Sequence, residues 1–226
     1  MTTIKICGLT NLSDAQVAAK AGADLLGFIF YEPSPRYVSP EIVRGIVAAL
    51  RESAMMSAKF VGVFVNASLP TVEQIVSTCG LDAVQLHGNE PPEFVAHFQH
   101  RGYKALRPQS TDEAHALAAQ YTTTRLSPAT QFPALLLDAY HPTLYGGTGH
   151  VTDWTMTADL ASHYPILLAG SLTPVNVAAA MQTVQPWGVD VSSGIEARKG
   201  KKDHAQVRAF INAVRQADLA SASNSP

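Results

Sequence analysis

Eight short runs rich in β-branched residues and leucine recur along the chain, each closing on a small or polar residue and followed by a segment of helical period. They cover residues 4–9, 25–30, 59–65, 83–88, 104–108, 134–139, 165–170 and 188–193. Their apolar residues are continuous instead of alternating. That is the pattern of strands buried on both faces, as in a parallel sheet covered by helices. Helix starts are marked between the runs by Ser13-Asp14, by Ser39-Pro40-Glu41 and by Thr173-Pro174 ahead of Val175.

Eight βα units in series fit a closed α/β barrel, the single (β/α)8 or TIM barrel, better than an open doubly wound sheet. An open sheet of that kind has fewer strands and a glycine-rich first turn, which Cys7-Gly8-Leu9-Thr10 does not match. The length of 226 residues suits one such barrel of about 200 to 250 residues. The domain is expected over residues 1–219, with the Ser- and Ala-rich residues 220–226 as an unstructured tail. Residues 121–133, polar and rich in threonine, are expected to form an extended surface loop before the sixth strand.

Charge narrows the partners. Sixteen basic residues against 18 acidic ones leave a net charge of −2, so no global field draws nucleic acid or an anionic membrane. Any bound anion must be held locally. No apolar stretch approaches the roughly 18 residues of a membrane span and no apolar signal region opens the chain, so a cytoplasmic protein is expected. Cys7 and Cys79 lack CxxC spacing and read as reduced thiols. His87, His141 and His150 fall in separate loops, and His97 and His100 lie three apart without an evident acidic partner, so no metal site is assigned.

In such barrels the chemistry sits at the C-terminal strand ends, and phosphate commonly docks between the loops after strands seven and eight. There the chain reads Leu168-Ala169-Gly170-Ser171 and Asp190-Val191-Ser192-Ser193-Gly194-Ile195. Small residues let backbone N–H groups approach an anion closely. Either turn alone is explained as a tight βα connection, whereas the pair in these two loops points to a phosphate site. At the first strand's end stands Cys7, for which burial as a small apolar residue is the ordinary explanation. Asp138 follows the apolar run Leu135-Leu136-Leu137, where a carboxylate is costly unless bonded or at the solvent end. Tyr145-Gly146-Gly147-Thr148-Gly149 then reads as a loop covering a site. Arg36, in the stiff segment Pro33-Ser34-Pro35-Arg36-Tyr37, is either a carboxylate-binding group or a solvated loop arginine.

Seven strings, in order along nearly the whole chain, together resemble the phosphoribosylanthranilate isomerase family. They begin at Lys5-Ile6-Cys7-Gly8-Leu9-Thr10, Ser34-Pro35-Arg36-Tyr37-Val38, Val61-Gly62-Val63-Phe64-Val65-Asn66 and Val84-Gln85-Leu86-His87-Gly88. Leu137-Asp138, Tyr145-Gly146-Gly147-Thr148-Gly149 and Val189-Asp190-Val191-Ser192-Ser193-Gly194-Ile195-Glu196 complete the set. The resemblance implies a cofactor-free Amadori rearrangement of N-(5′-phosphoribosyl)anthranilate in tryptophan biosynthesis, by a monomer or homodimer acting on a small-molecule substrate. It implies Cys7 as general base, Asp138 as general acid and Arg36 on the anthranilate carboxylate. Gly170, Ser171, Ser192, Ser193 and Gly194 match the family's phosphate cradle, with Asp190 among the substrate-binding residues. One departure is Ser171, where the family often has a second glycine; a positive φ there would strain serine. Rival readings are the related aminoaldose isomerase of histidine biosynthesis, expected to carry aspartate where Cys7 stands, a dual-substrate enzyme, and a non-catalytic sugar-phosphate binding barrel.

Overall fold

The structure is a computed structural model that describes residues 1–53, 57–122, 131–138 and 151–223, the side chains of 151–153 excepted. The strands are β1 (Thr3–Ile6), β2 (Leu25–Ile29), β3 (Lys59–Phe64), β4 (Ala83–Leu86), β5 (Gly102–Leu106), β6 (Leu135–Asp138), β7 (Ile166–Ala169) and β8 (Gly188–Val191). They pair in sequence order and close between β1 and β8, a parallel (β/α)8 barrel as expected. Around it run α1 (Leu12–Ala21), α2 (Pro40–Glu52), α3 (Leu69–Cys79), α4 (Pro92–His97), α5 (Thr111–Thr122), α6 (Val151–Ala161), α7 (Val177–Val184) and α8 (His204–Ser223).

Strand side chains alternate between two cores. Ile4, Ile6, Leu26, Phe28, Val189 and Val191 face outward and pack against helix residues such as Val43, Ile46, Val207 and Phe210. Leu25, Val61, Tyr103, Leu136 and Leu167 form a second cluster within the ring, with Phe132 among them. The same alternation sends Lys5 and Cys7, Gln85 and His87, Asp138, and Asp190 and Ser192 inward, so that each rises towards the mouth. Gly27 makes room on that inner face, since a Cβ there would lie 2.9 Å from the Cys7 sulfur.

Three boundaries differ from expectation. α7 begins at Val177, two residues after Val175. Asn176 holds the preceding turn open, accepting from the Thr173 N–H at 2.7 Å and donating to the Ser171 carbonyl at 3.0 Å. α5 carries through Tyr121 and Thr122 instead of yielding to a loop there: the Tyr121 hydroxyl donates to the Glu90 carbonyl at 2.8 Å. At the far end of that segment Phe132 is buried, while residues 123–130 lie outside the described residues. α8 continues to Ser223, past the expected boundary at 219, because Ser221 and Ser223 bond back to carbonyls four residues earlier. Residues 224–226 of the expected tail are outside the described set, as is the expected cover loop at 145–149.

One element was absent from the sequence reading. β9 (Glu196–Arg198) and β10 (Lys201–Lys202) form an antiparallel hairpin, turned at Gly200 with φ 76°. It seats Lys202 and Glu196 beside the end of β8. None of the described helices is long and apolar enough to cross a membrane.

Candidate active site

The inward-facing residues meet in a cavity of about 630 Å³ at the C-terminal strand ends. Cys7, Asp138 and Arg36 all line it, as do Gly170, Ser171, Asp190, Ser192, Ser193 and Gly194. Every residue singled out from the sequence for this site is therefore brought to one cavity.

Cys7 follows β1, its N–H donating to the Val191 carbonyl at 2.9 Å, and its side chain is buried. Beneath it, fully buried Lys5 donates to both Asp190 oxygens, at 3.1 and 3.0 Å. Burial pushes the Cys7 thiol up, and the Lys5 ammonium opposes the rise. Asp190 is also pushed up by burial, again against Lys5.

Asp138 ends β6 and meets Arg107, whose Nε lies 3.3 Å from its carboxylate. Arg107 also reaches His87 Nε2. His87 Nδ1 lies 2.9 Å from the Gln85 amide, and the Tyr103 hydroxyl donates to Gln85 at 3.1 Å. Burial, reinforced by Arg107, pushes the His87 imidazole down to about 3, so this ring is neutral at physiological pH.

Arg36 is not a solvated loop residue. Its Nε and Nη2 both donate to Glu196 at 2.8 Å, a forked pair. Lys202 donates to Glu196 at 3.2 Å and to the Ser192 carbonyl at 3.0 Å, linking the arginine to the loop after β8. Burial raises the Glu196 carboxyl, but Arg36 and Lys202 outweigh it and hold the group below its ordinary value.

The loops after β7 and β8 touch: a Cβ on Gly194 would overlap the Leu172 carbonyl. Gly170 and Ser171 are both left-handed, at φ 96° and 52°. Ser192, in the loop after β8, also lines the cavity, and its hydroxyl lies 2.9 Å from where a Cβ on Gly8 would stand; among the described residues it is buried without a hydrogen-bond partner. Buried hydroxyls are ordinarily bonded, so this one is open to a partner, water or ligand, that the protein itself does not supply.

The similarity of the chain to known proteins agrees with this geometry. A family model described as N-(5′-phosphoribosyl)anthranilate (PRA) isomerase matches residues 4–213. The chain belongs to the phosphoribosylanthranilate isomerase family. A relative of that name from Geobacter metallireducens is 45% identical over 213 residues, covering 93% of this chain and 98% of its own. Another from Pseudomonas fluorescens is 44% identical over 211 residues, covering 93% and 94%. The phosphoribosylanthranilate isomerase of Thermotoga maritima superposes with a TM-score of 0.82 at 38% identity, covering 96% of this chain and 100% of the other. A phosphoribosylanthranilate isomerase in complex with reduced 1-(o-carboxyphenylamino)-1-deoxyribulose 5-phosphate gives 0.79 at 36%, with the same coverage.

Within this geometry stand Lys5, Arg107, Lys202, Glu196 and His87, to which the sequence reading gave no part in the site. A lysine between Ile4 and Ile6 was the available signal, because strand alternation aims it into the barrel. Lys202 and Glu196 depended on the unforeseen hairpin.

Proposed function

We propose that the chain isomerises N-(5′-phosphoribosyl)anthranilate to 1-(2-carboxyphenylamino)-1-deoxyribulose 5-phosphate in tryptophan biosynthesis, using Asp138 as general acid and Cys7 as general base. The observation that carries this assignment is a carboxyl from β6 and a sulfur from β1 facing one cavity that also holds Arg36 and an orphaned hydroxyl beside two small-residue loops. A phosphorylated aromatic aminoaldose has the matching groups: a phosphate for the loops, a carboxylate for the arginine and a sugar between them.

In the first step the Asp138 carboxyl donates a proton to the ribose ring oxygen, and the C1′–O bond breaks to give an iminium. Its electron deficiency acidifies the C2′ proton, which the Cys7 thiolate removes to form an enolamine. Tautomerisation then gives the ketone. Oxidation at C2′ is balanced by reduction at C1′, so these proton movements complete the isomerisation without a cofactor. Glu196 occupies the Nε–Nη2 edge of Arg36, which leaves the Nη1 end of the guanidinium for the substrate carboxylate. Gly170, Ser171, Ser193 and Gly194 offer close backbone approach to the phosphate, and Ser192 offers its hydroxyl. Asp190 acts on the substrate side from beneath Cys7. The Thermotoga maritima relative is described as dimeric, and monomers have been generated from it. For this chain we propose a monomer or a homodimer.

The test is a fluorescence assay of the purified protein with freshly made phosphoribosylanthranilate, run beside the phosphoribosyl aminoaldose of histidine biosynthesis. Loss of the anthranilate-type emission is expected with the first substrate. Turnover of the second substrate alone would overturn the assignment, and turnover of neither would leave a binding barrel.

A further inference from the structure

More surrounds the sulfur than the isomerisation steps above use. Lys5 lies two residues before Cys7 on the inner face of β1, and the β1–β8 register sets it opposite Asp190. Its ammonium donates to both oxygens of that carboxylate, and its positive charge favours the thiolate form of the neighbouring Cys7. Gly27 leaves the space that admits all this: a Cβ there would lie 2.9 Å from Cys7 Sγ and 3.2 Å from Lys5 Cε. Stability alone does not call for the pair, since packed apolar residues replace buried ion pairs without loss in other proteins.

We propose that Lys5 is the positioning residue of the base: its ammonium is shared by the Cys7 sulfur and the Asp190 carboxylate, and the thiolate forms to the extent that sulfur holds the cation against Asp190. This deepens, and rests on, the assignment of Cys7 as base. After burial, Lys5 is the largest influence on the thiol and favours the thiolate, whereas Asp190 disfavours it. Burial disfavours the charged form of Lys5, but Asp190, then Cys7 and Tyr103, overcome this and keep it an ammonium. Lys202 on the hairpin and Arg36 after β2 also face the sulfur, and Glu196 holds both. His87 after β4 faces Lys5, and Asp138 on β6 faces Asp190. Removal of Lys5 and removal of Asp190 should therefore move the sulfur in opposite directions, which a merely structural pair would not do.

The experiment uses the whole protein with Cys79→Ala, which leaves Cys7 as the sole thiol of the two in the chain. The thiolate is followed against pH by its ultraviolet absorbance and by the rate of alkylation with iodoacetamide. Lys5→Met is expected to raise the titration by about one unit or more, leaving about tenfold less thiolate at a fixed pH below it. Its kcat should fall with little change in KM. Asp190→Asn is expected to lower the titration. Lys5→Met combined with Asp190→Asn strands no buried charge, covers the case in which a single variant does not fold, and should titrate above the parent. An unchanged titration in either lysine variant, or shifts of one sign in both single variants, would overturn the proposal. Failure of the base assignment shows separately, as normal turnover in Cys7→Ala.

Discussion

Serine 171 stands at φ 52° directly after Gly170, a left-handed conformation that costs an L-residue roughly 1 to 2 kcal/mol. Glycine there gives back part of the gain through the entropy of the unfolded chain. Ser171→Gly is thus expected to stabilise the protein by about 0.5 to 1 kcal/mol, read from urea unfolding. Arg36 gives a second residue-scale prediction. Arg36→Met removes the partner of a buried carboxylate and the group assigned to the anthranilate carboxylate, so steady-state kinetics should show KM raised about tenfold or more, with a smaller effect on inorganic phosphate inhibition. The positions of Cys7 and Asp138 at strand mouths were legible in the sequence because each ends an apolar run, whereas the local pattern alone favoured a structural Cys7 and only the family resemblance pointed to a base. The partners of Arg36 were not legible, for Glu196 is 160 positions away and no local pattern announces the pair.

At the scale of elements, the hairpin of β9 and β10 fastens three parts of the molecule. Asp14 on α1 accepts from the Lys202 N–H at 2.9 Å and from His204 on α8 at 2.8 Å, while Glu196 holds Arg36. Burial raises the Asp14 carboxyl, but the bonds from Lys202, His204 and Asn11 outweigh it, so it is depressed, as Glu196 is. A depressed carboxyl contributes its full stability above the unfolded values of 3.8 and 4.5 and loses it as pH falls through the folded ones. Unfolding free energy should accordingly drop between about pH 5 and about pH 3, with a shallower slope in Asp14→Asn. That variant should also lose about 1 to 3 kcal/mol at neutral pH. Between β7 and β8 the contact of Gly194 with Leu172 leaves no space for a methyl group. Gly194→Ala is expected to part the two loops and raise KM about tenfold or more, with kcat less affected. The strands were readable to within three residues because their apolar runs are continuous. The hairpin was not, since Glu196–Arg198 and Lys201–Lys202 are short and polar.

For the whole molecule, the decisive arrangement is a ring of eight strands whose inner face turns from apolar to polar as it rises. Leu25, Val61, Leu136 and Leu167 fill the ring, and the polar residues are carried above or among them to one mouth. The count and order of βα units made this architecture legible from the sequence, and it placed the site before any side chain was seen. Buried charge was harder to foresee: Lys5 and Asp190 lie 185 positions apart and meet only because the barrel closes between β1 and β8. At the heart of the proposed mechanism, one cavity joins an acid at the end of β6 to a base just after β1. The most direct test of that mechanism follows the decay of anthranilate-type emission for the parent protein, Cys7→Ala and Asp138→Asn at equal concentration. The parent is expected to consume phosphoribosylanthranilate, with each variant slower by roughly 10²-fold or more. Turnover near the parent rate in either variant would contradict the account.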